Sequence, residues 1–165
     1  MGKVLPLVTA FLLCLPAFAV SPTKFVRVCV GMPSGDSAFG RTGQDELVTL
    51  LVAGKKGRNI IPIKLQAQSG AEAFDEARPY GCRYLVLFAI NLVEISTWRR
   101  LDETIRNYTD AMYFRIEVAF TLYRLDGSGR IDSGSLVVDG LRRVEDVVSL
   151  ATDHLSSRIT RDLNK

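Results

Sequence analysis

Tyr84–Ile95 reads Y-L-V-L-F-A-I-N-L-V-E-I, a mostly apolar run whose clear interruption is Asn91. It is short and rich in β-branched and aromatic residues, which disfavours a helix. A strand covered on both pleat faces has this composition. The segment before it is helix-like and ends in Tyr80-Gly81, with Gly81 suited to a helix C-cap. Helix, glycine and two-sided apolar strand together make the second half of a βαβ unit.

Working outward, Phe25–Val30 (F-V-R-V-C-V) reads as a first strand and Gly31–Gly40 as a loop rich in turn-forming residues. Thr42 is a plausible N-cap for a helix whose buried stripe is Leu47, Leu50 and Leu51. Gly54-Lys55-Lys56-Gly57 ends it, with cations facing the helix dipole. Asn59–Leu65 is a second strand, and Pro62 confines it to a sheet edge. Ser69-Gly70-Ala71-Glu72 is a capping box opening a second helix, with Ala73, Phe74 and Ala77 on its buried side. The stretch 97–111 is polar and mixed, with room for a short helix after Asp102. Beyond it, Phe114, Ile116, Val118, Phe120 and Leu122 alternate with Arg115, Glu117, Thr121 and Tyr123, a strand with one wet face. Asp126-Gly127-Ser128-Gly129 is a hairpin turn into a fifth strand, Arg130–Val138. The last helix presents Val144, Val147, Val148, Ala151, Leu155 and Ile159 on one face. The expected class is α/β bordering on α+β, with order β-α-β-α-β-β-β-α. The expected sheet is mixed, its five strands arranged 2-1-3-4-5 with helices on both faces.

The chain has 165 residues, 47% hydrophobic and 24% charged, with a formal charge of +3. That suits one domain with a sizeable core. The signs are interleaved, unlike the concentrated basic face of a nucleic-acid binder, so no nucleic-acid partner is expected. Residues 1–19 read as a signal peptide: Lys3 gives the positive start, Val4–Phe18 the apolar run, Ala17-Phe18-Ala19 the cleavage site. Removing them leaves 20 basic against 18 acidic residues. Cys14 follows Leu12-Leu13 rather than a small residue, which argues against lipidation. Residues 20–165 are then a single domain, periplasmic or secreted, with no membrane span.

Cys29 and Cys82 form an even pair in an exported chain, which invites a disulfide. Strand geometry argues the other way. If the first and third strands start level, near Phe25 and Arg83, the two cysteines are offset by about 13–16 Å along the sheet. A disulfide needs Cα atoms within about 7 Å. The expectation is two free thiols, with Cys29 a small buried hydrophobe and Cys82 filling a tight helix–strand junction.

Residues able to do chemistry are few. His154, beside Asp153 off the apolar stripe, lacks a nucleophile partner and reads as a surface residue. One histidine and two dispersed cysteines make no metal set, and no cofactor is implied. The Gly31–Gly40 loop sits where α/β folds bind ligands, but carries neither G-x-x-x-x-G-K-[ST] nor G-x-G-x-x-G, and Asp36 would repel an anion. It reads first as a loop that connects and packs. Ser34, Gly35, Asp36, Ser37 and Phe39 are its candidate partner or ligand contacts. Trp98-Arg99-Arg100, expected just past a strand end, has the residue mix of interface hot spots, although a lone tryptophan is more often core than contact. Lys55-Lys56-Gly57-Arg58 reads as a solvated basic turn. Asn107-Tyr108-Thr109 fits the N-glycosylation pattern.

Val26–Val30, Leu47–Leu51 and Ile60–Ile63, together with Glu76-Ala77-Arg78 and Gly81-Cys82-Arg83-Tyr84-Leu85-Val86, form a pattern that resembles a known group. It is similar to the amino-terminal domain of TolB and the related fold of the CsgG and LpoB envelope proteins, a fold that also resembles the anticodon-binding domain of some tRNA synthetases. Members carry an A-x-x-x-G-A-x-Y-[LV]-[LV] run entering the third strand. The resemblance implies a non-enzymatic interaction module of the bacterial envelope, with an envelope protein as its partner. This chain departs from the group in lacking the acylated cysteine of CsgG and LpoB, the β-propeller of TolB and the membrane-spanning hairpin of CsgG. The expected function is therefore an exported, non-catalytic domain that binds a protein. The alternative is a small-molecule or nucleotide-binding domain using the Gly31–Gly40 loop.

Overall fold

The structure is a computed structural model that describes residues 25–35, 37–54, 59–67, 69–102, 107–127, 129–140 and 143–163. The expected signal peptide, Cys14 and the basic turn at 55–58 lie outside the described residues. The elements are β1 (Val26–Val30), β2 (Ser34–Gly35), α1 (Ser37–Ala53), β3 (Ile60–Lys64), α2 (Gly70–Ala77), β4 (Tyr84–Asp102), β5 (Asn107–Arg124), β6 (Gly129–Gly140) and α3 (Val144–Leu163). They build a mixed six-stranded sheet in the order β3-β1-β4-β5-β6, with β2 paired to β4 off this path. β1 runs parallel to β3 and β4, while β4, β5 and β6 are antiparallel. The expected class and strand order are observed, with β2 as an addition. Pro62 stands in the edge strand β3, opposite Val28, where its missing N–H costs no ladder bond.

Two hydrophobic layers sandwich this sheet. On one face Leu47 and Leu51 of α1 and Val147, Val148, Ala151, Leu155 and Ile159 of α3 bury Val28, Val86, Phe88, Ile90, Ile116, Val118, Phe120 and Leu122. On the other face α2 sets Ala73 and Ala77 over Cys29, Leu65, Cys82 and Leu85. The alternation expected in β5 is the one found, with the apolar set facing α1 and α3. Tyr123, on the opposite face, is half-buried and meets the ring of Phe74 edge-on at 5.0 Å.

Three local readings need correction. Helix α1 begins at Ser37, not Thr42. Gly40 is helical rather than the end of a loop, and a Cβ at Gly43 would sit 2.4 Å from Ile90 Cδ1, so Gly43 lets the helix approach the sheet. The stretch after Thr97 is strand where it is described, β4 running to Asp102 and β5 starting at Asn107; the short helix expected after Asp102 falls on residues 103–106, outside the described residues. Tyr84–Ile90 is buried or half-buried, but Asn91 and Val93 to Ile95 are exposed, because α2 covers only the start of β4.

The fourth correction is the disulfide. Cys29 and Cys82 are bonded, with Cα atoms 5.7 Å apart. Tyr84 pairs with Val28, so Cys29 stands beside Leu85, whereas the expected alignment put it beside Leu87. Gly81, at φ 61°, turns the chain into β4, and the Arg83 N–H donates to the Arg27 carbonyl. That bond keeps Cys82 against β1 rather than below it.

The β4–β5 ladder contains one irregularity. Leu92 pairs with Ile116 and Glu94 with Arg115, leaving Val93 as an extra residue in β4. A bulge of this kind exchanges the two faces of everything downstream. It removes Glu94 from the helix-covered side and sets it opposite Arg115, and it brings Ile95 opposite Phe114. Val93 itself is left 55% exposed.

At the far edge, Arg158 of α3 donates from Nε to Asp132 Oδ2 at 2.9 Å and from Nη2 to Oδ1 at 3.3 Å, with its guanidinium over the Phe120 ring. The bonds from Arg158 hold the Asp132 carboxyl below its ordinary range; Asp162 and the Ser133 N–H add to this, and burial opposes it.

These features give three expected outcomes. In residues 20–165, unfolded without reductant, Cys29 and Cys82 resist thiol labelling, and Cys82→Ser loses about 4 kcal/mol for a 53-residue separation; ready labelling of both cysteines contradicts the register. Deleting Val93 regularises β4 without exchanging its faces, so it lowers the melting temperature by less than about 5 °C, while deleting Phe88 abolishes folding. A native-like Phe88 deletion contradicts the ladder. Finally, Asp132→Asn destabilises at neutral pH. A depressed folded pKa contributes stability above the unfolded value near 4 and loses it as pH falls through the folded one, so the difference in urea midpoint from wild type shrinks towards pH 3. A difference that grows in acid contradicts the pairing.

Candidate functional site

The crevice beyond the carboxyl ends of parallel strands, where α/β folds place ligands, is filled. Gln44 of α1 is buried and donates from Nε2 to the Val30 and Leu65 carbonyls, both at 2.9 Å. Its amide joins the ends of β1 and β3. Ser34 and Gly35 are exposed, yet their backbone forms β2 and pairs with Ala89 and Ile90. Gly35 has φ 98°, and a Cβ there would come within 2.5 Å of the Ile90 carbonyl oxygen. This glycine therefore serves a close strand approach. Phe39 packs against the main core. Asp36 lies outside the described residues, as does the side chain of Ser37. The loop geometry thus belongs to packing, which leaves the small-molecule alternative without a cradle among the described residues.

A shallow cleft of about 550 Å³ lies between α1 and α3, with Asp45, Glu46, Glu145 and Asp146 on its walls. Asp45 is paired with Lys64 at 2.7 Å, Glu46 accepts from the Ser149 hydroxyl, and the other two acids sit in the first turn of α3, where the helix dipole favours them. Among the described residues, no group of histidine, cysteine and carboxylate side chains could hold a metal. His154 and Asp153 stand on the exposed side of α3.

What remains is a surface that sequence reasoning missed. β1 and β2 pair with β4 only as far as Ile90, and β6 pairs with β5 only from Phe114 on. From Ser96–Tyr113 to Asp102–Asn107 the two strands pair, among the described residues, with each other alone in the sheet. This two-stranded ribbon runs roughly 20 Å past the sheet body. Its root carries charge: burial raises the Tyr113 hydroxyl above its ordinary pKa, a hydrogen bond with Asp139 and the charges of Asp139 and Glu94 raise it further, and Arg115 opposes them. Ile95 is 53% and Met112 46% exposed, and the Thr97 hydroxyl reaches Met112 Sδ at 3.7 Å. Trp98, Arg99 and Arg100 lie inside β4 rather than past its end, with backbones paired to Ala111, Asp110 and Thr109; their side chains lie outside the described residues. Asn107 is the first residue of β5. The structure therefore places Trp98-Arg99-Arg100 on the ribbon, apart from the Ser34–Phe39 group at its foot. The signal for the ribbon was present in Tyr108 and Thr109, which are good strand formers, but interleaved charge hid it.

A two-stranded ribbon is marginal in water by itself, and a long edge with unpaired backbone groups is a template for another strand. Natural sheets blunt such edges with proline, charged side chains and bulges; β3 carries Pro62 and Lys64, and β4 carries the Val93 bulge followed by Glu94.

No family model matches this sequence, and no curated protein matches it. Solved structures do share its fold. The PelC dodecamer from Paraburkholderia phytofirmans is similar at a TM-score of 0.54 and 18% identity, over 79% of this chain and 84% of its own. A point variant of that dodecamer scores 0.55 at 17% identity, over 80% and 87%. A protein from Helicobacter pylori described as a neuraminyllactose-binding hemagglutinin homolog scores 0.52 at 8% identity, over 86% and 84%. At these identities the likeness carries the fold alone.

Proposed function

We infer that this chain is an exported, non-catalytic domain of the bacterial cell envelope that works by binding a protein through the β4–β5 ribbon. The observation that carries the reading is the ribbon itself: two strands that, among the described residues, pair in the sheet with each other alone, with Ile95 and Met112 exposed at its root. Two further points support the setting. The sequence opens on a segment with the features of a signal peptide. The Cys29–Cys82 disulfide suits an oxidising compartment. The fold likeness to a bacterial protein solved as a dodecamer makes a further copy of this chain the first partner to examine. Gln44 and Gly35 occupy the crevice where a small ligand would otherwise enter, which favours protein binding over the small-molecule reading.

The test is site-specific photo-crosslinking in an exporting bacterial cell. A photoreactive residue at Ile95 or Met112 yields discrete protein adducts, and the same residue at Asp153, on the exposed side of α3, yields none. Absence of adducts at both ribbon positions overturns the assignment of the ribbon as the binding surface.

A further inference from the structure

We propose that the outer edge of β6 pairs antiparallel with the same edge of a second copy, about a two-fold axis at Leu136, so that two sheets join into one. This contact lies on a different part of the sheet from the ribbon and stands whether or not the ribbon binds a protein.

The two outer strands of the sheet body differ. β3 carries Pro62 and Lys64, which deter a further strand. β6 closes the other side, and among the described residues it pairs with β5 alone. Its ladder is irregular only near its start, where Ile131 is an extra residue between Arg130 and Asp132. From Asp132 to Gly140, nine residues pair without a break with Leu122 to Phe114. The charges on this stretch stand near its ends, and both already have partners in the chain. Asp132 accepts from Arg158, and Asp139 is hydrogen-bonded with Tyr113. Ser133 to Val138 between them holds no charge and no proline. Val137 is 50% exposed, and Leu136, on the helix-covered face, is only half-buried.

Two copies of one strand pair antiparallel about a residue, because side chains opposite each other must share a face. Leu136 is the midpoint of the regular stretch, so centring there engages all nine residues. It sets Leu136 against its own copy, Ser135 across from the partner's Val137, Ser133 across from the partner's Asp139, and Asp132 across from the partner's Gly140. The leucine gains cover, a hydroxyl meets a carboxylate and no like charges oppose each other. Centring on Ser135 instead draws the extra residue Ile131 into the ladder and sets Leu136 across from the partner's Gly134. Centring on Val137 leaves Asp132 and Ser133 past the end of the partner strand. The helices fit as well. α3 lies across β5 and β6, about half a strand spacing inside the outer strand. The two α3 helices then stand about two strand spacings apart across the axis, roughly 10 Å, an ordinary helix-packing distance. A lone extended segment of another protein would bring a strand but no helix to cover Leu136. A second copy brings both, and a closed two-fold contact satisfies both edges at once.

The experiment is disulfide cross-linking of the exported protein with the Cys29–Cys82 bond formed. Ser133→Cys and Asp139→Cys proteins are oxidised mildly, each alone and then mixed, and run without reductant. Residues 133 and 139 of opposite copies have Cα atoms about 4.5–5.5 Å apart, inside the disulfide range, whereas the two copies of either residue are roughly 20 Å apart. Covalent dimer therefore forms in the mixture and not from either protein alone. Sedimentation gives a second measure: the wild type dimerises, and Ser135→Lys with Val137→Lys, both at exposed positions, weakens self-association about tenfold. A wild-type chain that stays monomeric at high concentration overturns the second copy as occupant. Cross-linking that is absent, or equal in the mixture and in the single proteins, overturns the register. A dimer unchanged by the two lysines lies elsewhere on the molecule and overturns the proposal.

Discussion

The antiparallel ladder between β4 and β5 is the interaction on which the rest of this protein depends. It begins at Tyr84–Arg124 and ends at Asp102–Asn107, and every other element uses part of it. The parallel strands β1 and β3 attach through its first residues, and α1 and α3 cover its buried face. β6 extends it on the far side. Only β4 and β5 pass beyond all of these. The Val93 bulge makes that possible without burying a charge. By adding one residue it moves Glu94 across to Arg115 and keeps Ile95 on the side of Phe114. Regular pairing through this point would have set an acid on the apolar face, where an unpaired charge is expensive.

The parallel half of the sheet is secured by different means. The disulfide ties β1 to the turn before β4, and Gln44 ties the ends of β1 and β3. Glu76 of α2 accepts from the Gln66 and Ala67 N–H groups and so holds the chain leaving β3. These polar and covalent ties lie around a small second core of two cysteines, two alanines and two leucines. Little apolar area is available there, so cross-linking of the unfolded chain contributes a large share of what holds that side. The covalent tie and these polar ties thus lie at the end of the sheet away from the ribbon.

Much of the fold was legible because its physics is local. The first half of the two-sided apolar run read at Tyr84–Ile95, Pro62 at an edge, the Ser69–Glu72 capping box and the parity of β5 each follow from a short window of sequence. The failures share a different cause. Gly35 and Gly40 read as loop because glycine signals both a turn and a close approach, and for Gly35 only Ile90 in three dimensions separates the two. The disulfide was misjudged because register between parallel strands is set by the crossover and by the turn at Gly81, not by where each strand starts. Trp98-Arg99-Arg100 was singled out as a candidate contact, but its place inside a projecting strand was hidden. The ribbon has no continuous apolar face, and an exposed hairpin carries little of the patterning that burial imposes on a strand.

The central claim is that β4 and β5 stay paired beyond the point where every other strand has stopped. The direct measurement is a nuclear Overhauser spectrum of residues 20–165, isotopically labelled and with the Cys29–Cys82 bond intact. The account predicts the close α-proton contacts that recur at alternate antiparallel pairs, continuing between residues 96–102 and 107–113. Contacts that end at Ile95–Phe114, with random-coil shifts from Ser96 to Tyr113, would contradict it.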